Sequence, residues 1–572
     1  MKKILALLLA AIMLFSLAAC GGGETEKPVE QEQQTTVQAD ETPYNGEMPI
    51  VKPGDEPVTI EIALINDTGV TDYENNAYTK WLEEQTGLNL EFRLFMDNSN
   101  AATQVALMVA SGERLPDVIW QVGGINKQQG ETYGKDGYFL PLSEYFEKYA
   151  YHFRKAFELY FPDEPGLLEQ VINRGEGADN LPMYAFPTMN KGSYSDALIQ
   201  AWINREWLDK LGLEKPTTIE ELYDVLVAFR DGDPNGNGKK DEIPMTGRVY
   251  GSYSATDPFN YITNAFTYYH DVQYFSVENG VLDAPFKSDE FREMLKFVNK
   301  LYQEGLVTEQ SWTQSSQELK GIINPLEGAP YLGGVVFGSC ESIFNRDSTA
   351  LDVYEPLPPL KDHTGKGGYA TTGFSNGYIT FISSDCEHPV EAFKLLDFMC
   401  SPESYLRQRW GEYGVDWVYS EGGKTGNRGG EAKIKVLNPS VFYEQNAQCW
   451  HYDVGAVADE SYWEYEVDFS DTDNWDTKLV NRCNEVYNYT MEAPQPKELF
   501  RFAIYSQADY DERSEFAKEL TAYIRNSRAE FCTGILNPNS DSDWQTYLDG
   551  LDALQYDRWI ELAQIGYNRI FE

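Results

Sequence analysis

The sequence predicts an α/β protein of two lobes with a helical, aromatic-rich C-terminal region. Three observations carry that expectation. Strand-like and helix-like segments alternate with short connections from residue 57 to residue 120, the pattern of a parallel sheet covered by helices. The same alternation restarts near Asp196. About 550 residues follow position 19, more than a single hydrophobic core accommodates.

Residues 57–65 alternate as a first strand, and 78–86 carry Trp81 and Leu82 on a helix stopped by Gly87. Residues 88–94 alternate again. The stretch 101–110 places Val105, Met108 and Val109 on one helical face before Ser111-Gly112, and 116–120 give a third strand. After the restart, 197–204 read as a strand. Thr218 and Glu221 form a capping box for a helix whose inner face is Leu222, Val225 and Phe229. The proline-rich stretch 353–360 reads as a rigid crossover, outside any helix or central strand. Residues 377–382 follow as a strand and 389–399 as a helix, with further helices near 511–531 and 543–567. The expected first lobe is 57–193 with 356–405, and the second is 194–355 with 406–572.

The first 19 residues join Lys2 and Lys3 to an apolar run and end in Leu17-Ala18-Ala19 before Cys20. This is the layout of a secretory signal peptide, too short for a membrane span. Residues 20–56 are rich in Gly, Glu, Gln, Thr and Pro and read as a disordered tether. Loss of residues 1–19 removes two lysines and no acid, taking the charge from −45 to −47. So acidic a chain repels nucleic-acid phosphates and disfavours polyanionic ligands at long range. Six cysteines follow Cys20 without a C-x-x-C, compatible with buried thiols or with one or two disulfides in an oxidising compartment. The chain has 12 Trp, 38 Tyr and 29 Phe, the side chains on which sugar rings stack.

Several motifs recur in a definite order: Leu-Glu-Glu-Gln-Thr-Gly at 82–87, Ala-Ser-Gly-Glu-Arg-Leu-Pro-Asp-Val-Ile at 110–119, and Asn-Arg-Glu-Trp-Leu-Asp-Lys-Leu-Gly-Leu at 204–213 with Pro216-Thr217 after it. Asp-Pro-Asn-Gly-Asn-Gly-Lys-Lys-Asp-Glu-Ile-Pro at 233–244, Leu-Tyr-Gln-Glu-Gly-Leu-Val at 301–307 and Gly-Glu-Tyr-Gly-Val-Asp-Trp at 411–417 complete the set. From about 58 to 418 the chain thereby resembles the solute-binding lipoproteins of carbohydrate ABC importers. Within them it is similar to the large Gram-positive branch and to the calcium-containing alginate-binding proteins. The resemblance implies a two-lobe periplasmic-binding-protein-like fold with hinge strands, a ligand clamped between the lobes, and no catalysis. The Cys20 context resembles a lipobox, which implies acylation of that thiol and a lipid anchor on the outer face of the cell membrane.

Residues 231–242 place Asp, Asn and Glu oxygens at alternate positions on a glycine-rich turn, a pattern that converges on a hard cation. One register begins at Asp231 and uses Asp233, Asn235, the Asn237 carbonyl and Glu242. The other uses Asp233, Asn235, Asn237, the Lys239 carbonyl, Asp241 and Glu242. The resemblance to the alginate-binding proteins favours the second, with a structural Ca2+. Gly373-Phe374-Ser375-Asn376-Gly377 matches the nucleophile-elbow spacing, but its strand follows the serine, opposite to the elbow's order. The histidines at 152, 270, 363, 388 and 451 are isolated and carry no metal or base motif.

Ligands of open α/β sheets lie at strand carboxyl ends. Trp120, Trp202, Trp312, Trp410, Tyr413 and Trp417 are therefore the candidate stacking residues, whereas Trp81 and Trp207 belong to helix faces in the core. The combined expectation is a monomeric, membrane-anchored receptor handing an oligosaccharide, neutral before acidic, to an ABC permease. A peptide receptor and a surface glycosidase or polysaccharide lyase are the alternatives.

Overall fold

The computed structural model describes residues 44–571 apart from 163, 165, 177–181, 192–199, 250–255, 271–273, 371–374, 451–456, 460–463, 495–497, 499 and 501. The expected signal peptide, Cys20 and His451 lie outside the described residues. The folded unit begins at Tyr44 rather than at 57. Met48, Ile50 and Val51 pack against the first core, and the Val51 N–H donates to the Thr86 carbonyl at 2.9 Å. These apolar residues interrupt an otherwise polar stretch and dock its second half on the globule.

Fourteen strands are described: β1 (Thr59–Ile65), β2 (Asn89–Phe95), β3 (Val118–Ile119), β4 (Ala185–Lys191), β5 (Ala201–Asn204), β6 (Ile243–Thr246), β7 (Ser276–Glu278), β8 (Val281–Asp283), β9 (Gly333–Phe337), β10 (Tyr354–Leu357), β11 (Ser375–Ile382), β12 (Trp417–Tyr419), β13 (Ile434–Val436) and β14 (Val457–Asp459). Six form one sheet in the order β14-β4-β11-β3-β1-β2, and four form a second in the order β10-β5-β9-β6. Two small hairpins, β7–β8 and β12–β13, complete the set. In β1, Ile60, Ile62, Ala63 and Leu64 are all buried, as a strand covered on both faces requires.

Local chemistry sets the helix ends. Asn76 caps Ala77–Thr86 by accepting from the Tyr78 N–H, and Gly87 closes it in the left-handed conformation. Ile219–Asp231 opens with both hydrogen bonds of the Thr218–Glu221 capping box. The stretch expected to be only a crossover contains β10. Its Pro356 is tolerated because β10 is an edge strand, paired with β5 alone.

The first core gathers side chains from 58–189 and 381–458, and the second from 201–360 and 500–567. A third cluster joins Trp202, Val336 and Tyr354 to Leu479 and Val486 of the helix Trp475–Glu492. Residues 406–459 were expected with the second lobe, yet Leu406, Trp417, Ile434, Trp450 and Val457 lie in the first core and β14 pairs with β4. Among the described elements the chain therefore changes sheets three times: from β4 to β5, from β10 to β11, and from β14 to the helix Trp475–Glu492. The helices Gln507–Thr533, Asp541–Ala553 and Tyr556–Asn568 pack on the second core.

Candidate ligand cleft

Strand direction locates the cleft. β1, β2 and β3 are parallel; β11 runs against β3 and β4, so β4 and β14 share the direction of β1. In the second sheet β6 and β9 are parallel, and β5 runs against both β9 and β10. The chain leaves β4 at its carboxyl end and enters β5 beside the carboxyl ends of β9 and β10. It leaves β10 at its carboxyl end and enters β11 beside that of β4. Both connections thus join the carboxyl edges of the two sheets, the place where open α/β sheets generally hold a ligand.

On the first sheet this edge carries Asn66 and Asp67 after β1, Met96 after β2, and Trp120 and Gln121 after β3. Trp120 is tied by its N–H to the Ala63 carbonyl at 2.8 Å. Gln121 adopts a left-handed φ of 48°, with its N–H donating to Thr380 Oγ1 at 3.1 Å. A non-glycine residue in that conformation stores strain, of the kind that clusters at binding sites. Nothing in the sequence marks it. On the second sheet the edge carries Gly247 after β6 and Gly338 after β9. The Val249 N–H donates to the Ser311 carbonyl at 2.8 Å, placing Trp312 next to the β6 exit.

The six candidate aromatic residues separate by burial and by the fate of the indole N–H. Trp202 is 0 % exposed, donates to the Gly338 carbonyl at 2.8 Å, and meets Phe344 edge-on at 4.9 Å. Trp417 is 0 % exposed and donates to the Gly411 carbonyl at 3.0 Å. Neither has a face left for a sugar, and both correct the sequence expectation: their strand positions point inward. Trp120 is 3 % exposed, which also removes its ring face, although its buried Nε1 has no partner among the described atoms. Trp312 is half-buried against Phe259 at 5.1 Å and Tyr302 at 5.4 Å, and its Nε1 likewise has no partner among the described atoms. Trp410 lies half-buried beside Tyr465 at 5.7 Å. Tyr413 is 43 % exposed, and Tyr419, absent from the sequence candidates, stands 5.6 Å away and is 50 % exposed. Accessible rings thus remain at Trp312, Trp410, Tyr413 and Tyr419.

The loop after the helix Ile219–Asp231 folds tightly on Asp233, Gly236 and Gly238, all with left-handed φ. The Asp233 carboxylate accepts from the Gly238 N–H at 3.1 Å, and the amides of Asn235 and Asn237 reach Asp241 at 2.9 and 3.0 Å. These amides hold the Asp241 carboxyl below its ordinary range. Among the described residues no three His, Cys, Asp or Glu side chains group to hold a metal. The donor set here instead mixes two amides and the Lys239 carbonyl with Asp233, Asp241 and Glu242. It fits a hard cation, since Glu242 Oε1 is buried without a partner among the described atoms. Asp231 pairs with Arg230 at 2.7 Å.

Ser375 begins β11, so its strand follows the serine instead of leading into it, and Gly373 and Phe374 lie outside the described residues. A strand start cannot present a nucleophile elbow.

Residues 68–405 match the bacterial extracellular solute-binding protein family, and the chain belongs to it. Its members bind solutes rather than transform them. The chain is 25% identical over 507 residues to the fructooligosaccharide ABC transporter substrate-binding protein FusA of Streptococcus pneumoniae, covering 85% of this chain and 86% of FusA. It is 26% identical over 454 residues to lipoprotein LipO of Bacillus subtilis, covering 77% of each. The solved structure of FusA in complex with kestose superposes with a TM-score of 0.69 at 22% identity, covering 89% of this chain and 99% of that one. An alginate-binding protein, AlgQ2 without calcium ion, gives 0.59 at 20% identity over 90% and 98%. These superpositions establish the two-lobe α/β binding-protein fold.

Proposed function

We propose that this protein is a receptor that captures a neutral oligosaccharide of the fructooligosaccharide class and delivers it to an ABC permease. The observation that carries the reading is the correspondence to FusA along 85% of the chain. The net charge of −45 agrees with it, because an uncharged sugar approaches such a surface without repulsion. The first lobe comprises 44–191 and 375–459, and the second 200–357 and 475–571. Ligand held along the carboxyl edges bridges them and favours the closed arrangement. Trp312, Trp410, Tyr413 and Tyr419 supply ring faces, and the indole N–H groups of Trp120 and Trp312 supply donors for hydroxyl oxygens.

A lipid on Cys20 tethers the chain to the membrane, a reading supported by the likeness to LipO. Calcium held by Asp233, Asn235, Asn237, the Lys239 carbonyl, Asp241 and Glu242 fixes the loop after the helix Ile219–Asp231. The existence of an EF-hand mutant of FusA supports a metal loop in a relative of this fold. The likeness to AlgQ2 favours a second reading, an acidic saccharide.

Titration calorimetry with kestose and with an alginate oligomer, followed by mass spectrometry of the recovered sugar, tests both. Stoichiometric binding of unchanged kestose supports the first reading. Binding of the acidic oligomer alone supports the second, and cleavage of either sugar overturns both.

A further inference from the structure

The Cys340–Cys483 disulfide joins residues 143 positions apart. Between them the chain leaves the second sheet after β10, builds β11, the β12–β13 hairpin and β14 on the first core, and returns as the helix Trp475–Glu492. The bond therefore ties the start of this excursion to its end. Cys340 itself stands at the corner after β9, on the carboxyl edge that faces the cleft. There its N–H donates to Gln200 Oε1 at 2.8 Å and the Gly338 N–H donates to the Gln200 carbonyl at 3.1 Å. The Trp202 indole closes the corner on the Gly338 carbonyl. A Cβ at Gly338 would stand 2.2 Å from Ile343 Cγ2, so the corner has no slack.

The first passage enters the second lobe at this corner. Gln200 is the last residue of the first passage. Leu357, at the end of β10, pairs with Ala201, and the chain stays on the second lobe as far as Tyr369, whose N–H donates to the Asn264 carbonyl at 3.1 Å. Cys483 lies on the helix that receives the third passage. Leu479, Cys483 and Val486 share one apolar cluster with Trp202, Cys340 and Tyr354.

We propose that the Cys340–Cys483 bond makes the start of β5, the corner after β9 and the helix Trp475–Glu492 one rigid block against which the lobes close, and that its reduction loosens this block and weakens ligand binding without unfolding the lobes. The consequence for binding rests on the receptor reading; the rigidity of the block does not.

Reduction with a trialkylphosphine breaks the S–S bond and gives two thiols. The phosphine supplies two electrons and is oxidised to its oxide with oxygen from water, which also supplies the two protons. The reduced full chain keeps every side-chain atom, and alkylation with mass measurement verifies the two thiols. Amide hydrogen exchange without ligand is then compared in the oxidised chain, the reduced chain and the Cys340→Ala/Cys483→Ala variant. The expected result is a loss of protection of tenfold or more, at 201–204 and 479–486 together, with β1 unchanged. Loosening of 479–486 alone, or no change in either segment, overturns the rigid block. Kestose affinity should weaken at least threefold on reduction, and an unchanged Kd overturns the coupling to closure. An oxidised chain that binds no kestose contradicts the proposed ligand, while the exchange result still decides the block.

Discussion

Arg528, on the helix Gln507–Thr533, donates to the Asp257 carboxylate at 2.7 Å, and both side chains are buried. Asp257 caps the helix Pro258–Phe266 by accepting from the Phe259 N–H at 2.9 Å, and Arg528 also reaches Asn260 Oδ1 at 3.0 Å. The C-terminal helices are thereby fastened to the helix beneath the cleft edge. Arg528→Ala strands a buried carboxylate and should cost about 3–5 kcal/mol. Urea unfolding measures it, and a loss under about 1 kcal/mol would show that the pair does not fasten the two parts.

The proposed calcium loop gives a second test. A metal bound by the folded state alone adds about 2.7 kcal/mol at a hundredfold excess over its Kd. Chelator should lower the melting temperature, and Asp233→Ala or Asp241→Ala should remove that dependence. Identical melts with calcium and with chelator would reject the site.

Two buried titrating groups oppose each other in the pH dependence of stability. Burial raises the Asp397 carboxyl from 3.8 to about 7, against the lowering effect of the Phe153 and His152 N–H groups it accepts from. Burial lowers His270 from 6.5 to about 4. The raised acid binds more protons folded than unfolded, so its contribution is full below 3.8 and lost as pH rises through about 7. The depressed histidine contributes above 6.5 and loses that contribution as pH falls through about 4. Their slopes nearly cancel in between. Relative to the parent, Asp397→Asn should gain about 1.4 kcal/mol per pH unit as pH rises between those limits. His270→Phe should gain by a similar amount as pH falls. Urea midpoints from pH 4 to 7 measure both, and parallel curves for parent and variants would refute the assignment.

The tryptophans should divide into two kinds. Trp202→Ala and Trp417→Ala empty core space and should each lose about 3–5 kcal/mol of stability. Trp312→Ala and Tyr413→Ala should weaken oligosaccharide binding by about 1–3 kcal/mol while melting closer to the parent. Paired melting and binding measurements separate the classes. A Trp202→Ala protein of parental stability, or a Trp312→Ala protein of parental affinity, would contradict the sorting.

The fold was legible where local signals and burial agree. The alternation in β1 and β2, the Thr218–Glu221 capping box and the Gly87 stop each specify an element without help from distant contacts. The passage of 406–459 onto the first core was not legible, because β14 is three residues long and joins its sheet only through β4. The tight turn at 233–238 could be read because its Asp, Asn and Gly residues are consecutive in the chain. The cleft could not, since the side to which a tryptophan turns depends on sheet register. Trp202 at a strand start and Trp312 after a helix look alike in sequence, yet one is sealed beneath Phe344 and the other stands beside the β6 exit. Gln121 owes its interest to backbone conformation alone.

A stoichiometric receptor for a neutral oligosaccharide, the function proposed for this chain, binds its sugar saturably and releases it unchanged. Titration calorimetry with kestose tests it most directly, read together with mass spectrometry of the sugar afterwards. Saturable one-to-one binding, loss of affinity in Trp312→Ala and recovery of intact kestose are expected. Absence of binding heat for kestose and longer fructooligosaccharides, or recovery of cleaved sugar, would contradict it.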